Sequence, residues 1–370
     1  MSLAPSVAPF QILYFSGTRS TQPNFTQATQ TGRAGIVALF WLAISFALHG
    51  TLANANNKVD ISGLIEAELI AGQDFTGNHH SDIVLATTHV GMDATISERV
   101  STHISLLYEE GETPLEIDEA YIHYKNNPFA ATALKLGQLY LPFGKFETMM
   151  VSDPLTLEIG EIRKSSLLFS YSNGFNFSLF LFNGDLNEAG TANDTIDNIG
   201  LTLGYLHTAN NLSIDSGIAY LNNMSETNGL GDAIITNNPL GRINKAIGGY
   251  AAHLALNWGS VTLIGELVHA MDSFKIGEID PLRRNQPHAS NLEASMVINK
   301  KLSLGLSLQH SRETAALGLP KRRILVGSSY YIDKSLRVKC EFAADRDHSI
   351  ADGGTGNASH SFTLQLASEF

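Results

Sequence analysis

Residues 361–370 read SFTLQLASEF, and their side chains sort by parity. Phe362, Leu364, Leu366 and Phe370 fall on one side of an extended chain, and Ser361, Thr363, Gln365 and Glu369 on the other. Successive side chains of a strand point to opposite faces, so the segment predicts a strand with one oily and one hydrophilic surface. The same rhythm precedes it. In residues 336–345, Leu336, Val338, Cys340, Phe342 and Ala344 alternate with Arg337, Lys339, Glu341 and Asp345, which puts every charge on one face. In residues 302–309, Leu302, Leu304, Leu306 and Leu308 alternate with Ser303, Gly305, Ser307 and Gln309. Segments of roughly ten residues are what a tilted strand needs to cross a bilayer.

A soluble β-sandwich alternates too, so the connections must separate it from a barrel. The pattern predicts sixteen strands, at 59–71, 82–96, 100–110, 116–126, 132–141, 166–173, 175–183, 196–207, 212–222, 246–257, 260–271, 288–298, 301–311, 323–332, 335–345 and 358–370. Connections alternate between tight and long. Ser97-Glu98-Arg99, Asn173-Gly174, Trp258-Gly259, Asn299-Lys300 and Asp333-Lys334 are turns, whereas 184–195, 223–245 and 272–287 are long and rich in Gly, Asn and Asp. Short turns at one rim and long loops at the other are the asymmetry of an all-β, transmembrane, antiparallel up-and-down barrel of the outer membrane, with short periplasmic turns and long extracellular loops. Tyr108, Tyr124, Tyr140, Tyr205, Tyr220, Tyr250 and Tyr331 lie near strand ends, where interfacial aromatic girdles are expected.

Composition agrees. The mean hydropathy is zero and only one long apolar run exists, IVALFWLAISFAL at 36–48. Arg33 precedes it and Ala53-Asn54-Ala55 follows, which marks a secretory signal cut after Ala55. Residues 1–55 are then a removed extension and signal, and 56–370 a single barrel domain. After position 55, 22 basic residues stand against 36 acidic, a formal charge of −14 that excludes nucleic acid as a partner. Cys340 is alone, so no internal disulfide forms. The thirteen histidines are scattered, and Ser170, Ser328 and Ser329 lack a nucleophile-elbow context. His79 and His80, in the first long loop, read as solvated rather than metal-binding. No catalytic residue, metal or cofactor is expected.

A sixteen-strand barrel is wide enough for an aqueous lumen. Parity turns Glu66, Glu68, Glu119, His123, Glu266, Glu293, Arg337, Lys339 and Glu341 inward, either to act on a passing solute or to brace the wall through ion pairs. The third long connection, 142–165, reads PFGKFETMMVSDPLTLEIGEIRKS. It sets Lys145, Glu147, Asp153, Glu158, Glu161, Arg163 and Lys164 among Phe146, Met149, Met150, Leu155, Leu157 and Ile159. Apolar residues in such numbers predict a segment packed against a wall, folding inward to narrow the pore or to plug it.

This stretch, KLGQLYLPFGKFETMMVSDPLTLEIGE at 135–161, with the barrel layout and terminal Phe370, resembles the LbtU-type siderophore porin family. The likeness covers most of the chain after the signal and is strongest from Leu136 to Glu161. Its VSDPLTLEIGE portion is more distinctive than PFG, which recurs after barrel strands in other porins. The resemblance implies uptake of a ferric siderophore and carries over no individual binding residue. The expected function is thus a substrate-selective outer-membrane channel. The alternatives are a general or cation-preferring porin, or a surface adhesin using the 223–245 and 272–287 loops. The expected partners are outer-membrane lipid, a small solute, and the barrel-assembly machinery through the strand ending in Phe370. A homotrimer follows by analogy with other sixteen-strand porins.

Overall fold

The computed structural model describes residues 58–126, 131–188 and 195–370; the signal and its cut after Ala55 lie outside the described residues. In chain order the strands are β1 (Lys58–Gln73), β2 (His79–Thr95), β3 (Val100–Tyr108), β4 (Glu116–Asn126), β5 (Thr132–Tyr140), β6 (Arg163–Asn173), β7 (Phe175–Asn183), β8 (Asn187–Glu188) and β9 (Ile196–Ala209). There follow β10 (Leu212–Leu221), β11 (Arg242–Ile243), β12 (Gly249–Trp258), β13 (Val261–Ala270), β14 (His288–Val297), β15 (Leu302–Arg312), β16 (Arg322–Tyr331), β17 (Leu336–Arg346) and β18 (Ala358–Glu369). Helices α1 (Leu155–Gly160) and α2 (Asn228–Asn237) lie in two of the long connections. All strands except β8 and β11 form one closed, sixteen-strand antiparallel barrel, while β8 and β11 pair in parallel with each other.

Closure joins β1 to β18 over ten residue pairs, from Leu64 opposite Glu369 to Gln73 opposite His360. Beyond them Gly63 and Phe370 exchange backbone hydrogen bonds of 3.0 and 3.1 Å. A Cβ on Gly63 would lie 2.3 Å from the Phe370 ring, so only glycine lets the aromatic cover this seam. A closed ladder leaves no backbone edge, the condition for strands to cross hydrocarbon.

Parity decides what each wall residue meets. Ile65, Leu69, Leu263, Leu292, Leu308, Ile324, Val326, Phe342 and Leu366 are exposed on the outside, while Glu66, Glu68, Glu266, Glu293, Ser307, Gln309, Lys339 and Glu341 are buried inside. A continuous exposed apolar wall of this kind belongs in a bilayer rather than in water. The localisation read from the sequence, the bacterial outer membrane, follows from this closed barrel and its apolar belt.

Four expectations need correction. Arg163 and Lys164 are not loop residues; they open β6, because β5 runs to Tyr140 and the ladder continues through Tyr140–Arg163 and Leu139–Lys164. His79 and His80 likewise belong to β2, opposite Gln73 and Gly72. Tyr140 is not part of a girdle but points inward, its hydroxyl donating to Asp118 at 2.8 Å, and Tyr331 shares the inward face with its cross-strand partner Arg337. Finally, the interior is not wet throughout. Phe180, Phe182, Leu221 and Val268 face inward and pack with Leu155, Ile159, Leu230, Ile234 and Phe274 from the long connections. Those connections fold into the barrel and supply the second half of an apolar core.

Candidate functional site

The connection between β5 and β6, residues 141–162, crosses the interior, and three wall glutamates hold its backbone. Glu266 of β13 accepts the N–H groups of Lys145 (2.6 Å) and Phe146 (3.2 Å), and the hydroxyl of Thr156 (2.8 Å). Glu293 of β14 accepts Met149 N–H at 2.9 Å and the Thr148 hydroxyl at 2.6 Å. Glu341 of β17 accepts Val151 N–H at 2.7 Å and Ser152 N–H at 3.1 Å. Lys339 donates to the Met150 carbonyl at 2.8 Å, and Leu155 N–H donates to Gln309 at 3.0 Å. A loop that leaves the sheet carries orphaned N–H groups, and an ionised carboxylate is their strongest acceptor, worth about 1.5–3 kcal/mol per bond.

The apolar side of the same loop explains its path. Met149 and Met150 lie over Gly305 and Gly327, which face each other across β15 and β16. A Cβ on Gly305 would come within 2.3 Å of Met149 Sδ, and one on Gly327 within 2.7 Å of Met150 Sδ. Two paired glycines thus leave the recess that receives the loop tip. Further along, Asn228 at the start of α2 donates its backbone N–H to the Glu161 carbonyl and its side-chain N–H to the Glu161 carboxylate, both at 2.8 Å.

Opposite these anchors, a β-bulge alters the wall. Between β3 and β4 the register shifts at Ile104/Leu106, so Asp118 and Glu119 both oppose Ser105. Glu119 N–H donates to Ser105 Oγ at 3.0 Å. Asp118 therefore turns inward despite its even number, and its carboxylate receives Arg163 at 2.9 Å and the Tyr140 hydroxyl. Arg163 also pairs with Glu116 at 2.5 Å.

Two cavities flank the loop on its long-loop side, of about 450 and 470 Å³. The first is lined by nine carboxylates and two cations, Arg163 and Lys164, both already ion-paired. The second is lined by seven carboxylates and one arginine, Arg323, which grips Asp345 through two nitrogens. Glu109 and Glu112 border both. Burial pushes the Glu161 carboxyl up to about 8, with Glu158 and Asp118 adding and the Asn228 hydrogen bond opposing. Burial likewise raises Glu109 to about 7, against the hydrogen bond from Thr113. Burial raises Glu158 and Asp232 as well. Burial opposes the Lys145 ammonium, but Asp215 and Glu147 outweigh it and hold its pKa above the usual lysine range.

The residues singled out from sequence separate into groups. Glu266, Glu293, Lys339 and Glu341 bind the crossing loop. Glu68 accepts from Gln365 at 2.9 Å beside the buried Glu66. Glu119 accepts Tyr140 N–H at 3.2 Å, His123 is half-buried on the same inward face, and Arg337 pairs with Glu369 at 3.2 Å. Within the loop, Lys145 pairs with Asp215 and with Glu147 at 3.2 Å, Asp153 is buried, and Glu158 and Glu161 border the first cavity. Parity missed Asp118, since a bulge inverts it without any mark in the sequence. Gly305, Gly327 and the Arg323–Asp345 pair were also passed over, although two glycines at equivalent depth on consecutive strands are a readable sign of close approach. Among the described residues, no group of three or more His, Cys, Asp or Glu is arranged to hold a metal ion.

Solved structures share this architecture. An anion-selective porin from Comamonas acidovorans superimposes with a TM-score of 0.61 at 15% identity, over 85% of this chain and 100% of that one. The outer-membrane channel DcaP of Acinetobacter baumannii gives 0.58 at 13%, over 86% and 99%. OmpF of Salmonella typhi, in complex with daunomycin, gives 0.58 at 12%, over 86% and 99%. The fold is that of the outer-membrane porins. No family model matches the chain. Curated relatives carry the name UPF0422 protein. That of Coxiella burnetii is 24% identical over 81% of this chain and 66% of its own length, and that of Legionella pneumophila strain Lens is 24% identical over 82% and 62%. The chain thus spans less than two thirds of these relatives.

Proposed function

We propose that the protein is an outer-membrane channel whose path, narrowed by residues 141–162, passes cationic and uncharged hydrophilic solutes in preference to anions. The observation that supports it is the pairing of a loop stapled across the lumen by Glu266, Glu293 and Glu341 with two carboxylate-lined cavities on its long-loop side. Charged rings in a confined passage select ions by sign. In this reading Lys145, Glu147, Asp153, Glu158 and Glu161 border the narrowed region, with Arg163 and Lys164 beside it on β6. Likeness to a porin named for anion selectivity reaches only the backbone, because the lining side chains set selectivity. Purified protein in a planar bilayer under a salt gradient tests the proposal. A reversal potential of cation-selective sign is expected; absence of conductance, or anion selectivity, overturns it.

The resemblance to siderophore porins adds a ferric siderophore as the solute, and the acidic cavities favour one without net negative charge. Deleting the gene and feeding iron-limited cells a defined neutral or cationic siderophore tests this, with loss of growth expected. Assembly as a homotrimer belongs to the same reading and is checked by light scattering of the detergent complex.

A further inference from the structure

The outer wall carries a feature that neither the lumen nor the loops use. Inward parity on β13–β17 is fixed by the buried Glu266, Val268, Ala289, Asn291, Gln309, Leu325 and Ala343. His269, His288, His310, Arg312, Arg322 and Arg346 therefore stand on the outer face, continuing the exposed column of Leu292, Leu308, Ile324 and Phe342 toward the long-loop rim. They form two rungs of cross-strand partners. His269 faces His288, which faces Arg312; below it, His310 faces Arg322, which faces Arg346. The rings make a continuous aromatic edge, with centroids 5.3 Å apart for His269–His288 and 6.3 Å for His288–His310. Tyr250 extends it at 5.2 Å from His269.

The charge is one-sided. Among the described residues, the exposed Arg312 pairs only with the half-buried Glu313 at 3.3 Å, and Arg322 and Arg346, neighbours across the ladder, have no ion pair. Like charges directly opposite on one face destabilise a ladder, and this chain as a whole is anionic, at −12. Cations on a lipid-facing wall cost about 2–4 kcal/mol at the bilayer midplane but about 0–1 near the interface. Their place at the strand ends puts them at headgroup depth.

We infer that this strip binds the phosphate groups of lipid in the outer leaflet. Arginine donates a fork of N–H groups that matches phosphate oxygens, the imidazole N–H groups supply further donors, and an anion relieves the Arg322–Arg346 repulsion. A two-fold copy of the chain is the poorer occupant, because a two-fold interface would appose the arginine strip to its own kind.

The test uses full-length protein in dodecyl maltoside, titrated with diphosphorylated lipid A or its dephosphorylated form, with bound lipid read by native mass spectrometry. Wild type should retain the phosphorylated lipid and release the other, and added salt should weaken retention. R312Q/R322Q/R346Q should lose affinity by about tenfold or more, while K300Q/K301Q/K334Q at the opposite rim and the conductance of both variants stay unchanged. Equal retention of the two lipids by wild type, or equal affinity in both variants, overturns the inference. Conversion of an oligomer to monomers by the arginine substitutions also overturns it, assigning the strip to contacts between copies.

Discussion

The Glu341 carboxylate on β17 and the Val151 amide at the tip of the crossing loop are joined at 2.7 Å, although 190 residues separate them in sequence. Ser152 closes on the same carboxylate through its own N–H and its hydroxyl. One wall side chain therefore holds two successive residues of the loop tip.

Glu341→Ala should free the tip. The buried Val151 N–H loses its acceptor, at about 1–3 kcal/mol, and the half-buried Ser152 N–H loses its own at smaller cost. The expected outcome is a lower melting temperature together with larger, noisier single-channel currents. Glu341→Gln keeps one acceptor oxygen and should fall between. Unchanged currents in the alanine variant would separate the loop from the conduction path.

Filling the glycine recess should displace the same tip from the other side. Gly305→Leu places a branched side chain where Met149 Sδ sits, whereas Gly305→Ala asks only for a shift of a flexible methionine end. Altered conductance is expected for leucine and near-normal behaviour for alanine. Repacking by Met149→Ala in the leucine background should restore the wild-type current.

Cation preference should grow with pH. Glu161, held near 8, and Glu109, near 7, are protonated at pH 6 and ionised at pH 9, so the cavities gain negative charge across this window. Reversal potentials recorded from pH 6 to 9 should move toward the cation limit. E161Q/E109Q should flatten the trend; a trend of opposite sign would show that other groups control the passage.

The bulge in β4 makes neighbouring acids unequal. Asp118→Asn removes the charge that receives Arg163 and the Tyr140 hydroxyl; Arg163 keeps Glu116, so the loss should be about 1.5–3 kcal/mol. Glu119→Gln, at a half-buried site that keeps an acceptor for Tyr140 N–H, should cost less than about 1 kcal/mol. Denaturant unfolding in micelles distinguishes the two.

The strands were legible because their two sides meet different solvents. Leu304, Leu306 and Leu308 meet lipid while Ser307 and Gln309 meet the interior, and no other arrangement satisfies both sets. Strand limits erred where hydrogen bonding outran hydrophobic pattern, as at Arg163, which keeps its ladder partner Tyr140 although both are polar. The inward path of 141–162 was foreshadowed by Met149, Met150, Leu155 and Ile159. Its anchors were only half visible, since parity located Glu266, Glu293 and Glu341 but gave no hint that amides would be their partners. Asp118 was hidden by a one-residue change of phase. The dry packing of Phe180 and Phe182 was hidden because each reads as another oily strand residue, and the α2 side chains Leu230 and Ile234 that meet them come from a glycine-rich segment.

The Gly63–Phe370 seam also governs how the cylinder can be made. Each barrel strand from β2 to β17 pairs with the barrel strands before and after it in sequence, but β1 also waits for β18, the other side of the seam. Loop entropy rises only logarithmically with length, by about 0.6 kcal/mol per doubling, so this wait costs time more than stability. During it, β1 presents a raw row of amides and carbonyls, the kind of surface on which strangers polymerise. The zip is complete only when the Phe370 ring settles on bare Gly63, which makes that contact a stamp of a closed cylinder.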